Sequence, residues 1–280
     1  MAEAKPEVVD QLRELLGANG VRTEPDDLIP DIIVKPSSTE EVAGILRICS
    51  AAGQALVPLG GKSGLASGHH QTDGEIGLSL ERMNAIEEID TANRTMTVQA
   101  GCILQVAHEA AEEKGLLLPL DLGARGSATV GGNVATNAGG NMVIRYGMAR
   151  DMVLGLEVVL ADGTVVSSLN KMLKNNTGYD LKQWFIGAEG TLGVITRVVL
   201  RLRPLPRSQN TALLAVEDFP SVGKLLHWLD SRTAGTLSAF EVMWPEFYDF
   251  ITRDGGNHKP PLPRGSAHYV LCLLYTSPSP

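Results

Sequence analysis

Two runs of glycine, interleaved with small hydroxyl and amide side chains, carry the chemistry this sequence is equipped for. The longer, Pro119 to Gly147, reads PLDLGARGSATVGGNVATNAGGNMVIRYG, with six glycines (123, 126, 131, 132, 139 and 140) inside eighteen residues. Ser127, Thr129, Asn133, Thr136 and Asn137 stand between them. Glycine lets another molecule approach the main chain with no Cβ in the way, and short neutral side chains can hydrogen-bond it there. So much glycine disfavours a stable helix or strand, and the run is too apolar for a linker. It reads as a wall of backbone around a large, polar, ring-containing ligand. The shorter run, GGKSGLASG at 60–68, directly follows the apolar ALVPL of 55–59. A strand that empties into a glycine loop presents successive N–H groups as a concave anion site.

Two familiar phosphate motifs fail on this loop. Gly61-Lys62-Ser63 would end a GxxxxGK[ST] loop only with glycine at 56, where Leu56 stands, and no two glycines in the chain stand two apart, so GxGxxG is absent. A net charge of −8 supplies no basic stripe to neutralise nucleic-acid phosphates, and 5% aromatic residues supply few stacking platforms. The six histidines (69, 70, 108, 227, 258 and 268) show no HExxH or other ligand spacing, so no metal is expected. Three cysteines (49, 102 and 272), without CxxC spacing, cannot close an even set of disulfides and point to a reducing compartment. The N-terminus has no apolar signal region and no eighteen-residue apolar run occurs, so the expectation is a soluble cytoplasmic protein that does not span a membrane.

The elements that must position these runs follow from periodicity. Val8–Leu16 reads as a helix stopped by Gly17 or Gly20, and Asp31–Pro36 as a short extended run. Ser38 and Glu41 form a capping box for a helix burying Val42, Ile45, Leu46 and Cys49, with Gly53 at its C′ position. Ala55–Leu59, Gly77–Leu80, Ile86–Ile89 and Thr95–Gln99 read as strands, the last two as a hairpin. Ile103–Lys114 reads as a helix with Ile103, Val106, Ala107, Ala110 and Ala111 on one face and His108 in solvent. Val153–Leu160 and Thr164–Ser168 flank Asp162-Gly163, a type I′ hairpin signal. Leu192–Leu202 is a strand closed by Pro204 and Pro206, and that proline pair is the expected domain boundary. Beyond it, Ala212–Val216, Leu237–Val242 and His268–Leu274 read as strands, Ser221–Arg232 as a helix and Gly255–Gly265 as a loop. Tyr275–Pro280 lacks a hydrophobic period, so the second domain is expected to be incomplete: either the chain is truncated here, or its last ten residues are foreign to it.

Four segments, PLGGKSGLASG (58–68), PLDLGARGSATVGGNVATNAGG (119–140), GLEVVLADGTVV (155–166) and NNTGYDLKQWFIGAEGTLGVIT (175–196), come in this order. Together the sequence closely resembles the FAD-linked oxidases of the vanillyl-alcohol oxidase superfamily, and within them the D-2-hydroxyacid dehydrogenases of the D-2-hydroxyglutarate, D-lactate and glycolate oxidase D-subunit type. The resemblance is dense over about residues 30–205 and loose over 206–270. It implies an α+β fold: a PCMH-type FAD-binding domain over 1–206, made of two α/β subdomains (about 30–100 and 101–206), then the start of an α+β cap at 207–280.

The resemblance also implies site residues. Pro58, Gly60, Gly61, Lys62, Ser63, Gly64 and Leu65 would hold the FAD pyrophosphate, with the Gly61 N–H facing it, so that a Cβ there would block the ligand. Asp121, Gly123, Ser127, Thr129, Gly131, Gly132, Asn133, Thr136 and Gly140 would line the isoalloxazine and ribityl chain. Glu189, Gly190, Gly193 and Ile195 would close on the adenosine half. Some relatives tether the flavin to a histidine directly after the paired glycines; that place is Lys62 here, so FAD is expected to be non-covalent, and His69 and His70 to be a polar loop. The implied reaction is oxidation of a D-2-hydroxy acid to the 2-oxo acid by hydride transfer to flavin N5, with electrons passing to a quinone, a cytochrome, an electron-transfer flavoprotein or an iron–sulfur subunit. The catalytic base is not assignable. Arg145 and Tyr146 follow the wall and read equally as substrate-facing or structural. The alternatives are a FAD-binding subunit or truncated fragment without its own turnover, and the same fold acting on an aldonolactone or an enolpyruvyl sugar.

Overall fold

The structure, a computed structural model, describes residues 4–23, 32–253 and 259–276. Asp31, His258 and the last four residues therefore lie outside the described residues. Contacts divide the chain into two units: Met1–Leu118, Gly123–Ala138 and Ala149–Pro204, then Pro119–Leu122, Gly139–Met148 and Leu205–Pro280. The sequence suggests a single cut at 206; two pieces of the glycine-rich stretch belong instead with the second unit.

In the first unit α1 (Pro6–Leu16) buries Val8, Val9 and Leu12. β1 (Val21–Arg22) and β2 (Ile33–Val34) precede α2 (Thr39–Ala52), whose Gly44 admits the Leu15 side chain of α1, 2.7 Å from where a Cβ would stand. Ser38 Oγ accepts from the Glu41 N–H at 3.2 Å, but the Glu41 carboxylate accepts from Ser37 rather than closing the box on Ser38. Gly53 ends the helix at φ 61°. β3 (Leu56–Leu59) and β4 (Ile76–Ser79) complete a sheet of order β1-β2-β4-β3, in which β2, β4 and β3 run parallel. Parallel neighbours need a crossover. α2 supplies one, and the glycine loop after Leu59 supplies the other without any helix.

The chain then builds an antiparallel sheet. β5 (Ile86–Asp90) and β6 (Thr95–Gln99) pair as the expected hairpin. α3 (Leu104–Glu112) follows, and its buried stripe is Leu104, Ala107, His108 and Ala111, while Val106 is 47% exposed. His108 is therefore buried, not solvated: the stripe sits one position away from the most apolar face, and the i, i+4 partner of Leu104 is the histidine. After β7 (Leu116–Leu117) come α4 (Val130–Ala135), α5 (Val143–Tyr146), α6 (Ala149–Met152), β8 (Val153–Val159) and β9 (Val165–Ser168). The β8–β9 turn is not type I′. Only Gly163 has positive φ (80°), and its N–H bonds Leu160 O, so this is a type I turn with a glycine bulge. α7 (Lys182–Phe185) and β10 (Val194–Arg201) finish the sheet, in order β5-β6-β10-β8-β9; β11 (Arg203–Pro204) pairs with β7. A buried carboxylate joins this sheet to α2: Glu157 accepts from Thr39 Oγ1 at 2.7 Å, Thr196 Oγ1 at 2.9 Å and Arg197 Nη1 at 3.2 Å.

The second unit has a three-stranded sheet: β12 (Ser208–Val216), then β13 (Leu237–Met243) and β14 (His268–Thr276), with β14 central. α8 (Phe219–Thr233), capped by Asp218, packs Val222 against Leu237, Val270 and Cys272. Tyr275 and Thr276, which carry no hydrophobic period, pair with Gln209 and Ser208. The sequence reading does not foresee α9 (Pro245–Thr252), whose Tyr248 stacks on Tyr269 at 3.7 Å between centroids. In this unit Arg145 of α5 donates to Ser238 Oγ and Tyr275 O, both at 2.9 Å, and to Thr236 O at 3.4 Å. Nη1 of its guanidinium is thus engaged by the sheet, which supports the structural reading of this arginine.

Candidate functional site

The loop after β3 leaves the carboxyl end of a parallel strand, the place where open sheets bind ligands. Among the described residues no acceptor meets the N–H groups of Gly61 through Leu65. Lys62 and Ser67 hold left-handed backbone, φ 53° and 61°, a conformation that turns successive N–H groups toward one concavity. The loop rests on residues 127–132 of its own unit. A Cβ at Gly60 would stand 2.8 Å from Thr129 Oγ1, and one at Gly61 would overlap the Ser127 carbonyl oxygen and come within 2.9 Å of Ala128 Cα. Gly61 is therefore a packing glycine; the expectation that a Cβ there would meet the ligand is corrected. Gly64 is different: no atom lies within 4 Å of its Cβ position, and its φ is not left-handed. Leu65 is fully exposed.

α4 contradicts the expectation that the glycine-rich run is too rich in glycine for helix. It forms because its first N–H groups find partners: Val130 N donates to Cys102 O, Gly131 N to Ala100 O, and Gly132 N to Thr129 Oγ1. Gly131 is required by packing, since its Cβ would overlap that of Ala100. The helix start is thus satisfied by protein, and the open donors belong to the loop. Asn133 is 5% exposed, and its Nδ2 has no partner among the described residues. A buried donor left unmade is costly, so Asn133 fits a ligand that brings an acceptor. Thr136 Oγ1 donates into its own helix at Gly132 O, and Ser127 Oγ to Ala124 O. Gly123 and Gly126, like Gly64, have open space where a Cβ would stand.

The third element is the rim at 187–195. Gly187 N and Glu189 N donate to Val134 O and Ala135 O at the end of α4. Glu189 (φ 51°) and Gly190 (φ 81°) both take left-handed backbone. A Cβ at Gly190 would lie 2.8 Å from Pro58 Cγ, and one at Gly68 would lie 2.5 Å from Glu189 Oε2, so the rim meets the start and the end of the first loop. Gly190 to Val194 also wall a cavity of about 270 Å³ with Leu46, Cys49, Ser50, Gln54, Leu56 and Pro58. The α2 residues of that wall escaped the sequence reading; their periodicity marks them only as core. Gly193 and Ile195 face protein, against Val158 and within β10. Asp121 and Gly140 belong to the second unit, where Asn141 N donates to Asp121 O.

Beside the loop, Lys62 acts electrostatically on both His69 and Glu81. His69 meets His70 edge-on at 4.6 Å between centroids. Its pKa is lowered by partial burial first, then by the charges of His70 and Lys62. Glu81 is held below the usual carboxylate range: burial opposes this, but hydrogen bonds from Lys35 and Ser79 and the charges of Lys35 and Lys62 prevail. Five open N–H donors beside Lys62, three open-sided glycines and the orphaned Asn133 amide fit a dinucleotide with a pyrophosphate and a polar ring system. Among the described residues no group of three or more His, Cys, Asp or Glu could hold a metal ion.

A parallel sheet and an antiparallel sheet flanking a glycine loop of this kind define a two-subdomain flavin fold. Residues 30–168 match the family model of an FAD binding domain. D-2-hydroxyglutarate dehydrogenases are its relatives. The mitochondrial protein of Bos taurus is 45% identical over 241 residues, 86% of this chain and 42% of that protein. The protein of Xanthomonas citri pv. viticola is 43% identical over 257 residues, 87% and 54% respectively. The chain thus spans about half the length of the curated relatives it matches. Alkyldihydroxyacetonephosphate synthase shares the fold at a TM-score of 0.79 and 19% identity, over 99% of this chain and 57% of that one.

Proposed function

We propose that this chain holds FAD without a covalent bond and serves the oxidation of a D-2-hydroxy acid, of the D-2-hydroxyglutarate type, to the 2-oxo acid. The observation that carries the reading is the row of N–H groups from Gly61 to Leu65, open on the side where Gly64 lacks a Cβ neighbour. When bound, the flavin supplies a two-electron acceptor for hydride from the carbon that bears the hydroxyl. The chain's own work is binding and orientation. The loop N–H groups donate to the pyrophosphate and Lys62 offsets part of its charge. Asn133 Nδ2 donates to an acceptor on the flavin half, and the cavity beside Gly190 receives the adenosine end. Lys62 stands where a tethering histidine would, which supports non-covalent binding. Three free buried thiols fit a cytoplasmic, reducing setting. The reduced flavin would pass electrons to a quinone, a cytochrome, an electron-transfer flavoprotein or an iron–sulfur subunit. Among the described residues no helix is long and apolar enough to cross a membrane.

A second reading is a FAD-holding chain without turnover of its own. One experiment separates the two. FAD is added to the apoprotein, unbound flavin is removed, and D-2-hydroxyglutarate or D-lactate is added without oxygen. Bleaching of the yellow colour supports the dehydrogenase, and colour that persists supports the second reading. A protein that retains no flavin overturns both. Flavin that stays with the polypeptide after acid precipitation overturns the non-covalent assignment.

A further inference from the structure

The rim that closes on the first loop is held in place by a side chain the sequence reading passed over. Arg150, on α6, sends its guanidinium to the end of α7: Nη1 donates to Gln183 O at 2.9 Å and Gln183 Oε1 at 2.6 Å, and Nη2 to Ile186 O at 2.6 Å. A helix of four residues has little stability of its own, and its last carbonyls need partners. The planar fork of an arginine meets two of them at once, as a lysine cannot. The main chain of Arg150 is fixed in turn. Its N–H donates to Asn137 Oδ1 at 3.0 Å, and Asn137 sits at φ 48° just beyond α4. From α4 itself, Val134 O and Ala135 O accept from Gly187 N and Glu189 N. Residues 183 to 189 are thereby laid along the end of α4, and the next residues, Gly190 to Val194, form one wall of the cavity beside Pro58.

We propose that Arg150 is a positioning residue for the adenosine end of FAD. It touches no ligand; it fixes the 190–194 wall by gripping the carbonyls of Gln183 and Ile186. The inference rests on the reading that the cavity takes the adenosine end.

The test compares FAD with FMN, which keeps the ring, the ribityl chain and a phosphate but lacks adenosine. Wild-type, Arg150→Lys and Arg150→Ala apoproteins of the full chain are titrated with each flavin by fluorescence quenching. Arg150→Ala should weaken FAD about tenfold or more, the scale of one lost charge-assisted contact, and leave FMN within about twofold. Arg150→Lys, which reaches one carbonyl at a time, should fall between. Should Arg150→Ala fail to fold, Arg150→Lys still decides the matter through its ratio of FAD to FMN affinity, and hydrogen exchange should rise at 183–194 in that variant. Equal losses for both flavins, or an unchanged FAD affinity, would overturn the inference. If wild-type protein binds neither flavin, it is the flavin reading that fails.

Discussion

Gly61 and Gly64 are three residues apart in one loop, and a single methyl group should act on them in opposite ways. At Gly61 the methyl would overlap the Ser127 carbonyl oxygen and crowd Ala128 Cα at 2.9 Å. Both are backbone atoms, so neither can swing aside as a side chain would. Overpacking typically costs about 1–3 kcal/mol, and this site belongs at the upper end. For a chain of this size about 3 kcal/mol corresponds to a Tm lower by roughly 5 °C. At Gly64 the methyl meets no protein atom, and the backbone is outside the left-handed region. Gly64→Ala should therefore keep its Tm or gain slightly, because alanine restricts the unfolded chain by about 0.4–1 kcal/mol. It should still lose FAD. Displacing one phosphate contact of the charge-assisted kind costs about 1.5–3 kcal/mol, or roughly 10- to 100-fold in Kd. The assay is a thermal melt of each apoprotein beside a fluorescence titration with FAD. If Gly64→Ala binds FAD as tightly as wild type, the ligand does not approach this loop from its open side and the cradle is misplaced. If Gly61→Ala melts like wild type, the packing of the loop on residues 127–128 is not what holds it.

Glu157→Ala should destabilise the first unit by about 2–3 kcal/mol in urea unfolding; this is less than the loss of a fully buried partner, because Arg197 keeps Glu87 at 2.8 Å. A cost below about 0.5 kcal/mol would mean that Thr39, Thr196 and Arg197 do not depend on that carboxylate. Burial pushes the Cys49 and Cys102 thiols up to about 11, so at pH 8 about one in a thousand is thiolate. Ellman's reagent should react with them in the native protein far more slowly than in the denatured one. The sign for stability follows: the folded thiols are raised above their unfolded values, so their contribution is complete below about pH 9 and declines as pH climbs toward 11. Rapid native reaction at pH 8 would show that α2 and the start of α3 open readily.

The β3 strand with its glycine loop and the antiparallel hairpins were legible because they are written locally, in alternation and turn residues. The site was legible as composition but not as geometry. Gly61, Gly64 and Gly131 look alike in sequence, yet Ser127, open space and Ala100 respectively lie where their Cβ atoms would be. That difference is set by residues far along the chain. His108 is not legible because apolarity alone picks the face containing Val106, whereas the folded chain buries the face of Leu104, Ala107 and Ala111. α4 was missed because its stability comes from Cys102 O and Ala100 O, not from its own residues. Arg150 carries no signal at all: nothing in the sequence says which carbonyls an arginine will find.

The division of the glycine-rich stretch between units has a consequence for the order in which the protein can be made. Chains fold largely as they are synthesised, N-terminal parts first. Here residues 139–148 leave the ribosome well before Thr236, Ser238 and Tyr275, the acceptors of Arg145, the last of them 130 residues downstream. Closing so long a loop is entropically costly until β13 and β14 exist to reward it. The nascent chain must therefore keep Arg145, between α4 and α6, without these acceptors while Asn141 already has Asp121 O to bond. A chain ended at 206 would hold it in that condition permanently, with Arg145 present and all three of its acceptors gone.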